Sequence, residues 1–152
     1  MKDCDIIKLI ELHIDDTQIE KSCSFFGGYA LVINGEIKLL PQCCALFEEI
    51  NDWKKILNED FDPFWLTDCH PSPKFTLKNS DVIIECKEDM TGPFIPQTNE
   101  IIKVKHRDLQ VALKKLIEVL KEFSTRIDQY SKRFNSMNIS KYLIWGDFES
   151  NL

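Results

Sequence analysis

No apolar run in this chain approaches the ~20 residues needed to span a membrane. Its opening, Met-Lys-Asp-Cys-Asp-Ile-Ile, lacks the charged, apolar and small-residue order of a secretory signal, so a cytoplasmic protein is expected. Positive charge is also short. The net charge of −6 argues against a nucleic-acid binder, which normally shows a basic face, and against docking on an anionic membrane. There is no phosphate-cradling loop. Gly27-Gly28 stands outside any Gly-x-Gly-x-x-Gly or Gly-x-x-x-x-Gly-Lys context, and more simply permits a bend or bulge before a strand. Internal repeats, low-complexity stretches and linkers are missing, so residues 1–152 read as a single domain.

A chain of 152 residues buries enough surface to fold without disulfides or a metal. Ten Phe and three Trp promise an aromatic core. The six cysteines, at 4, 23, 43, 44, 69 and 86, are then read as reduced thiols that act as small buried hydrophobes.

The most informative stretch runs from Gly27 to Cys44. Two apolar runs flank Asn34-Gly35, the pair that a type I′ turn favours because both residues accept positive φ. Strands are expected near 29–33 and 36–40, ended by Pro41. Before them, Asp5 to Ile14 reads as a first strand, either covered on both faces or partly helical, ended by Asp15-Asp16. A polar connection runs from Thr17 to Ser24. A helix is expected over 44–57, with Leu46, Phe47, Ile50, Trp53 and Leu57 on one face.

Pro63, Pro71 and Pro73 mark a loop or short edge strand. Strands at 75–77 and 82–86 surround Asn79-Ser80-Asp81, and another lies at 101–104 beyond a loop at 90–96. Leu109, Leu113, Leu116, Leu120, Phe123, Ile127, Tyr130 and Phe134 step by fours and threes. They predict a helix over about 107–134, a rod of about 42 Å. Ser140 is placed to cap a final short helix that Gly146 ends. The order predicts an α+β domain, a mainly antiparallel sheet with helices on one face.

Chemistry is harder to find. Cys43, Cys44, Cys69 and His70 are candidate ligands or a candidate thiol–base pair for a small cysteine- or metal-dependent enzyme. However, there is no Cys-x-x-Cys pair, and adjacent residues at a helix start point about 100° apart. A nucleophilic Cys43 or Cys44 would rely on a helix N-terminus and on His70 or His13 as base. No catalytic residue, metal or cofactor is expected on the main reading.

Charge patterning carries that reading. From Glu48 to Asp68 seven acids face two bases, interleaved with Trp53, Phe61, Phe64 and Trp65. Aromatic anchors in an acidic rim suit a protein interface with a basic partner. The expected contacts are Glu48, Glu49, Asp52, Trp53, Glu59, Asp60, Asp62 and Trp65. Core aromatics under a solvated acidic face would produce the same string. The long helix offers a third role, pairing with a second copy to make a structural homodimer.

The run Gly27-Gly28-Tyr29-Ala30-Leu31-Val32-Ile33-Asn34-Gly35, with Leu40-Pro41-Gln42-Cys43-Cys44 and Trp53, resembles small bacterial proteins of the immunity type. The resemblance covers roughly residues 25–75. It implies a cytosolic acidic α+β domain that neutralises a basic toxin domain by binding, without catalysis. It transfers no individual functional residue.

Overall fold

The computed structural model describes residues 3–14 and 18–146. Its first element, α1 (Asp3–Ile14), is a helix where a strand was expected. Ile6 and Ile10, one turn apart, are fully buried, while Leu9 and Leu12 are exposed. The dense apolar run is thus a single inward stripe plus surface leucines, and it satisfies the 3.6-residue period. The expected terminator Asp15-Asp16 lies outside the described residues. A 3-10 turn at Ile19–Lys21 buries Ile19.

The hairpin forms as expected, from β1 (Leu31–Ile33) and β2 (Glu36–Leu39). Asn34 and Gly35 have φ of 53° and 80°, as a type I′ turn requires. A bulge between Leu31 and Val32 shifts the register. The hairpin is a sheet of its own and does not join the larger one.

The following helical segment starts later than expected. Leu46 is extended, and helical backbone begins with a 3-10 turn at Phe47–Glu49. It continues as α2 (Ile50–Trp53) and ends in a second 3-10 turn at Lys54–Leu57. Ile50, Trp53 and Ile56 face inward.

Four strands make the main sheet: β3 (Phe64–Trp65), β4 (Lys74–Lys78), β5 (Asp81–Glu85) and β6 (Ile101–Lys105). They form an antiparallel meander in chain order. Asn79, at φ 57°, turns β4 into β5. The register aligns Phe64, Phe75, Ile84 and Ile102 in one row, and Leu77, Val82 and Val104 in the next. These rows form the inner face. Phe75 stacks on Phe64 at 4.9 Å and meets Trp53 edge-on at 5.0 Å. Each such contact adds about 0.5–1.5 kcal/mol beyond area burial.

Helix α3 (His106–Asp128) has 23 residues, about 34 Å. It is shorter than expected, because a separate 3-10 turn at Ser131–Phe134 follows and Asn135 is left-handed at φ 51°. Leu109, Leu113, Ile117, Leu120 and Ile127 are buried within the protomer. The stripe that offered itself to a second copy is therefore used by the chain's own core.

Helix α4 (Ile139–Leu143) is capped by Asn138, whose Oδ1 accepts the Lys141 N–H at 3.0 Å. Ser140 is not the cap. Its N–H and hydroxyl donate to Asp128 at 2.8 and 2.7 Å, which ties α4 to the end of α3. The Leu143 carbonyl accepts the Phe25 N–H at 2.8 Å, and the Trp145 carbonyl accepts from the Asn51 side chain at 2.9 Å. The Trp145 indole donates to Ser124 at 3.0 Å. Ile139, Leu143 and Ile144 are fully buried. No helix among the described residues is long and apolar enough to cross a membrane. Among the described residues, two antiparallel sheets and four α-helices make an α+β fold, as expected.

Candidate functional site

Two loops meet through Cys43 and His70 and bring the candidate residues of the cysteine reading into one region. The first is a tight turn after Pro41, closed by the Ala45 N–H donating to the Gln42 carbonyl at 3.2 Å. Cys44 occupies its third position at φ 67°, where glycine or asparagine is usual. The turn is pinned on both sides. The Gln42 side chain donates to the carbonyls of Leu40 (2.8 Å) and Ile95 (3.1 Å) and accepts the Ile95 N–H at 2.9 Å. The Cys43 carbonyl accepts the His70 N–H from the second loop at 3.0 Å.

This geometry corrects the expectation for the double cysteine. Neither residue starts a helix, so no helix dipole acts on the thiols. The turn also folds adjacent side chains together, with the two sulfurs 3.5 Å apart and both residues exposed. The Cys44 thiol is held above its usual pKa, first by its hydrogen bond to Cys43, then by that neighbour's charge. Cys69 is pushed up to about 12, chiefly by burial and then by Glu49. Burial likewise raises Cys86 to about 11. A thiolate nucleophile needs the opposite shift. The expectation that cysteines are buried fits Cys69 and Cys86, whereas Cys4, Cys23, Cys43 and Cys44 are exposed. Among the described residues no group of three or more His, Cys, Asp or Glu side chains is placed to hold a metal ion.

The acids are distributed differently from the expected patch. Glu49 is buried at 3% exposure, against the backbone of Gly28. A β-carbon on residue 28 would approach Glu49 Oε2 and Ala45 Cβ to 3.1 Å and Pro41 Cβ to 3.2 Å. Glu49 Oε1 has no hydrogen-bond partner among the described residues. Burial pushes this carboxyl up to about 7. The Leu46 N–H offsets part of that, and Asp68 and Asp52 add to it. The charge of Glu49 in turn adds to the effect of burial on Tyr29, whose phenol is raised and donates to the Phe47 carbonyl at 2.6 Å. Glu48 is half-buried and also raised, first by burial and then by Asp68.

Asp52 works as a structural clamp. Its carboxylate accepts the Thr67 N–H at 2.9 Å, the Thr67 hydroxyl at 2.7 Å and Lys55 at 2.6 Å. Trp53 is a core residue. Glu49, Asp52 and Trp53 therefore face inward with Ile56, and the spacing of three, four and seven was the sequence signal for it. Glu59, Asp60, Asp62 and Trp65 are exposed. Glu59 accepts from Gln110 at 3.3 Å.

One surface was missed. The outer face of the four-stranded sheet carries the row Trp65, Lys74, Glu85 and Ile101, then Thr76, Ile83 and Lys103, then Lys78, Asp81 and Lys105. Trp65 is 54% exposed and Ile101 60%. The Lys74 ammonium sits 5.0 Å from the Trp65 ring centre. Lys103 and Lys105 pair with Asp81 at 3.0 and 2.7 Å, and these hydrogen bonds hold its carboxyl below the usual range. The alternating lysines of Lys74-Phe75-Thr76-Leu77-Lys78 and Ile101-Ile102-Lys103-Val104-Lys105 were the legible signal. No protein-family model, curated protein or solved structure matches this chain.

Proposed function

We propose that this chain is a non-enzymatic protein-binding module, of the bacterial immunity type that its sequence resembles. The observation that supports it is the half-exposed Trp65 indole on the outer sheet face, beside the exposed turn that carries Glu59, Asp60 and Asp62. A tryptophan left this far in water gives up much of the burial it would gain in the core, and tryptophan is the residue type that most often anchors an interface. Around it the charge is mixed. The acidic turn favours basic groups on the partner, and the sheet face favours a carboxylate opposite Lys78. Compared with the sequence expectation, the contact set contracts to Glu59, Asp60, Asp62 and Trp65, leaves out Glu48, which packs beside Gly146, and extends onto the sheet.

The raised thiols of Cys44 and Cys69 favour this reading over a cysteine nucleophile. The test is retention of a stoichiometric basic protein by the tagged chain from its native host, at low and then high salt. Trp65→Ala should lose the partner outright. The double change Asp60→Lys, Asp62→Lys should slow association and flatten its salt dependence. A partner held equally by both variants would remove this surface, and no partner at all would remove the function.

A further inference from the structure

We propose that Cys43 and Cys44 form a chelating dithiol for a sulfur-seeking trivalent metalloid centre, of which a trivalent organoarsenical is the simplest representative. Adjacent residues in extended or helical backbone point their side chains apart. Here the positive φ of Cys44, in a turn closed between Gln42 and Ala45, brings both thiols to one side with their sulfurs 3.5 Å apart. A non-glycine residue in that conformation is strained, and such outliers persist where the surroundings over-determine them. The surroundings do so here through Gln42 to Ile95 and Cys43 to His70. The entropy of bringing two ligands together is thus already met by the fold.

Geometry selects the class of ligand. At a bond of about 2.3 Å, a linear two-sulfur site needs its sulfurs about 4.6 Å apart, and a tetrahedral zinc site needs four ligands. The observed separation subtends about 100° at that bond length, which suits a pyramidal centre with angles near a right angle. Both side chains are open to solvent, so the centre can enter without moving the core. The reaction is a condensation. Two S–H bonds and the arsenic–oxygen bonds break, two arsenic–sulfur bonds form, and the oxygen leaves as water with both protons. Arsenic stays trivalent and no electron is transferred.

The experiment uses the reduced full chain, phenylarsine oxide as probe, and intact-mass measurement after challenge with excess monothiol. One arsenical per chain should survive the monothiol and be stripped by a small dithiol. Cys43→Ser and Cys44→Ser should each abolish that survival, and the double change Cys4→Ser, Cys23→Ser should leave it intact. Cys44→Gly suits the left-handed backbone, so it should fold as well as the parent and still lose retention. Loss of the probe from the parent under monothiol, or its survival in Cys43→Ser and Cys44→Gly, would overturn the assignment.

Discussion

Gly28 and Glu49 share one space. The carboxyl oxygen Oε2 of Glu49 lies where any β-carbon on residue 28 would approach it to 3.1 Å, and φ at residue 28 is +105°. Backbone conformation therefore favours glycine there, and the packing around it is already tight. Gly28→Ala should destabilise the protein by roughly 2 kcal/mol, since it combines a strained φ with crowding against Ala45 and Pro41. A shift of the urea midpoint at unchanged slope is the expected reading.

The buried carboxyl makes stability depend on pH in a direction opposite to that of a salt-bridged acid. The pKa of Glu49 rises from 4.5 to about 7 on folding. Below pH 4.5 both states hold the proton. Between pH 4.5 and 7 the unfolded chain releases it while the folded chain keeps it, so stability falls as pH rises, at about 1.4 kcal/mol per pH unit. Above pH 7 the loss is complete, at roughly 3 kcal/mol from this group. Glu49→Gln should flatten the slope, leaving the share of the raised Glu48, and stabilise the protein at pH 8. Denaturation curves at pH 5 and pH 8 for the two proteins check it. A parent more stable at pH 8 than the variant would contradict the assignment.

Asp52 and Asp60 are acids of the same stretch with different fates. Asp52→Ala removes an acceptor that holds the Thr67 N–H and hydroxyl and leaves them short of a partner. A cost of about 2–3 kcal/mol is expected. Asp60→Ala, at an exposed position, should stay within about 0.5 kcal/mol. Thermal unfolding of both variants separates the structural acid from the surface one.

Phe75 is fully buried between Phe64 and Trp53. Phe75→Ala should cost about 3–5 kcal/mol. Trp65, one strand away on the opposite face, should tolerate Trp65→Ala with a much smaller loss. The same exposure predicts that acrylamide quenches Trp65 emission readily, while Trp53 is shielded. Trp145 is half-buried and keeps some quenching of its own, so Trp65→Phe should lower the quenchable fraction, and an unchanged fraction would refute that placement.

Local rules made much of the fold legible. Asn34-Gly35 marked the first hairpin, Asn79 the β4–β5 turn, and the four-and-three stepping from Leu109 marked α3. The errors came where two patterns share residues. Ile6, Ile7, Leu9, Ile10, Leu12 and Ile14 are too dense to choose between periods of two and 3.6 by eye, and the buried pair Ile6–Ile10 decides for the helix. The acids of the candidate patch sat on a stripe with Trp53 and Ile56, yet charge alone was read as exposure. Glu49 and Asp52 are interior because Gly28 and Thr67, 21 and 15 residues away, come to meet them. The thiol pair was visible as two letters, but its closeness depends on a left-handed Cys44 and an anchor at Ile95, and neither is encoded locally.

The last described segment also sets the order in which this protein is completed. Residues 139–145 join the loop at Phe25, the helical segment at Asn51 and the long helix at Ser124 and Asp128. Two parts of the chain made early thus wait for one made late. During synthesis, Phe25 and Asn51 leave the ribosome long before their partners exist. Until residues 139–145 have been made, the contacts they give Phe25 and Asn51 cannot form, and Ile139, Leu143 and Ile144 cannot take their buried places.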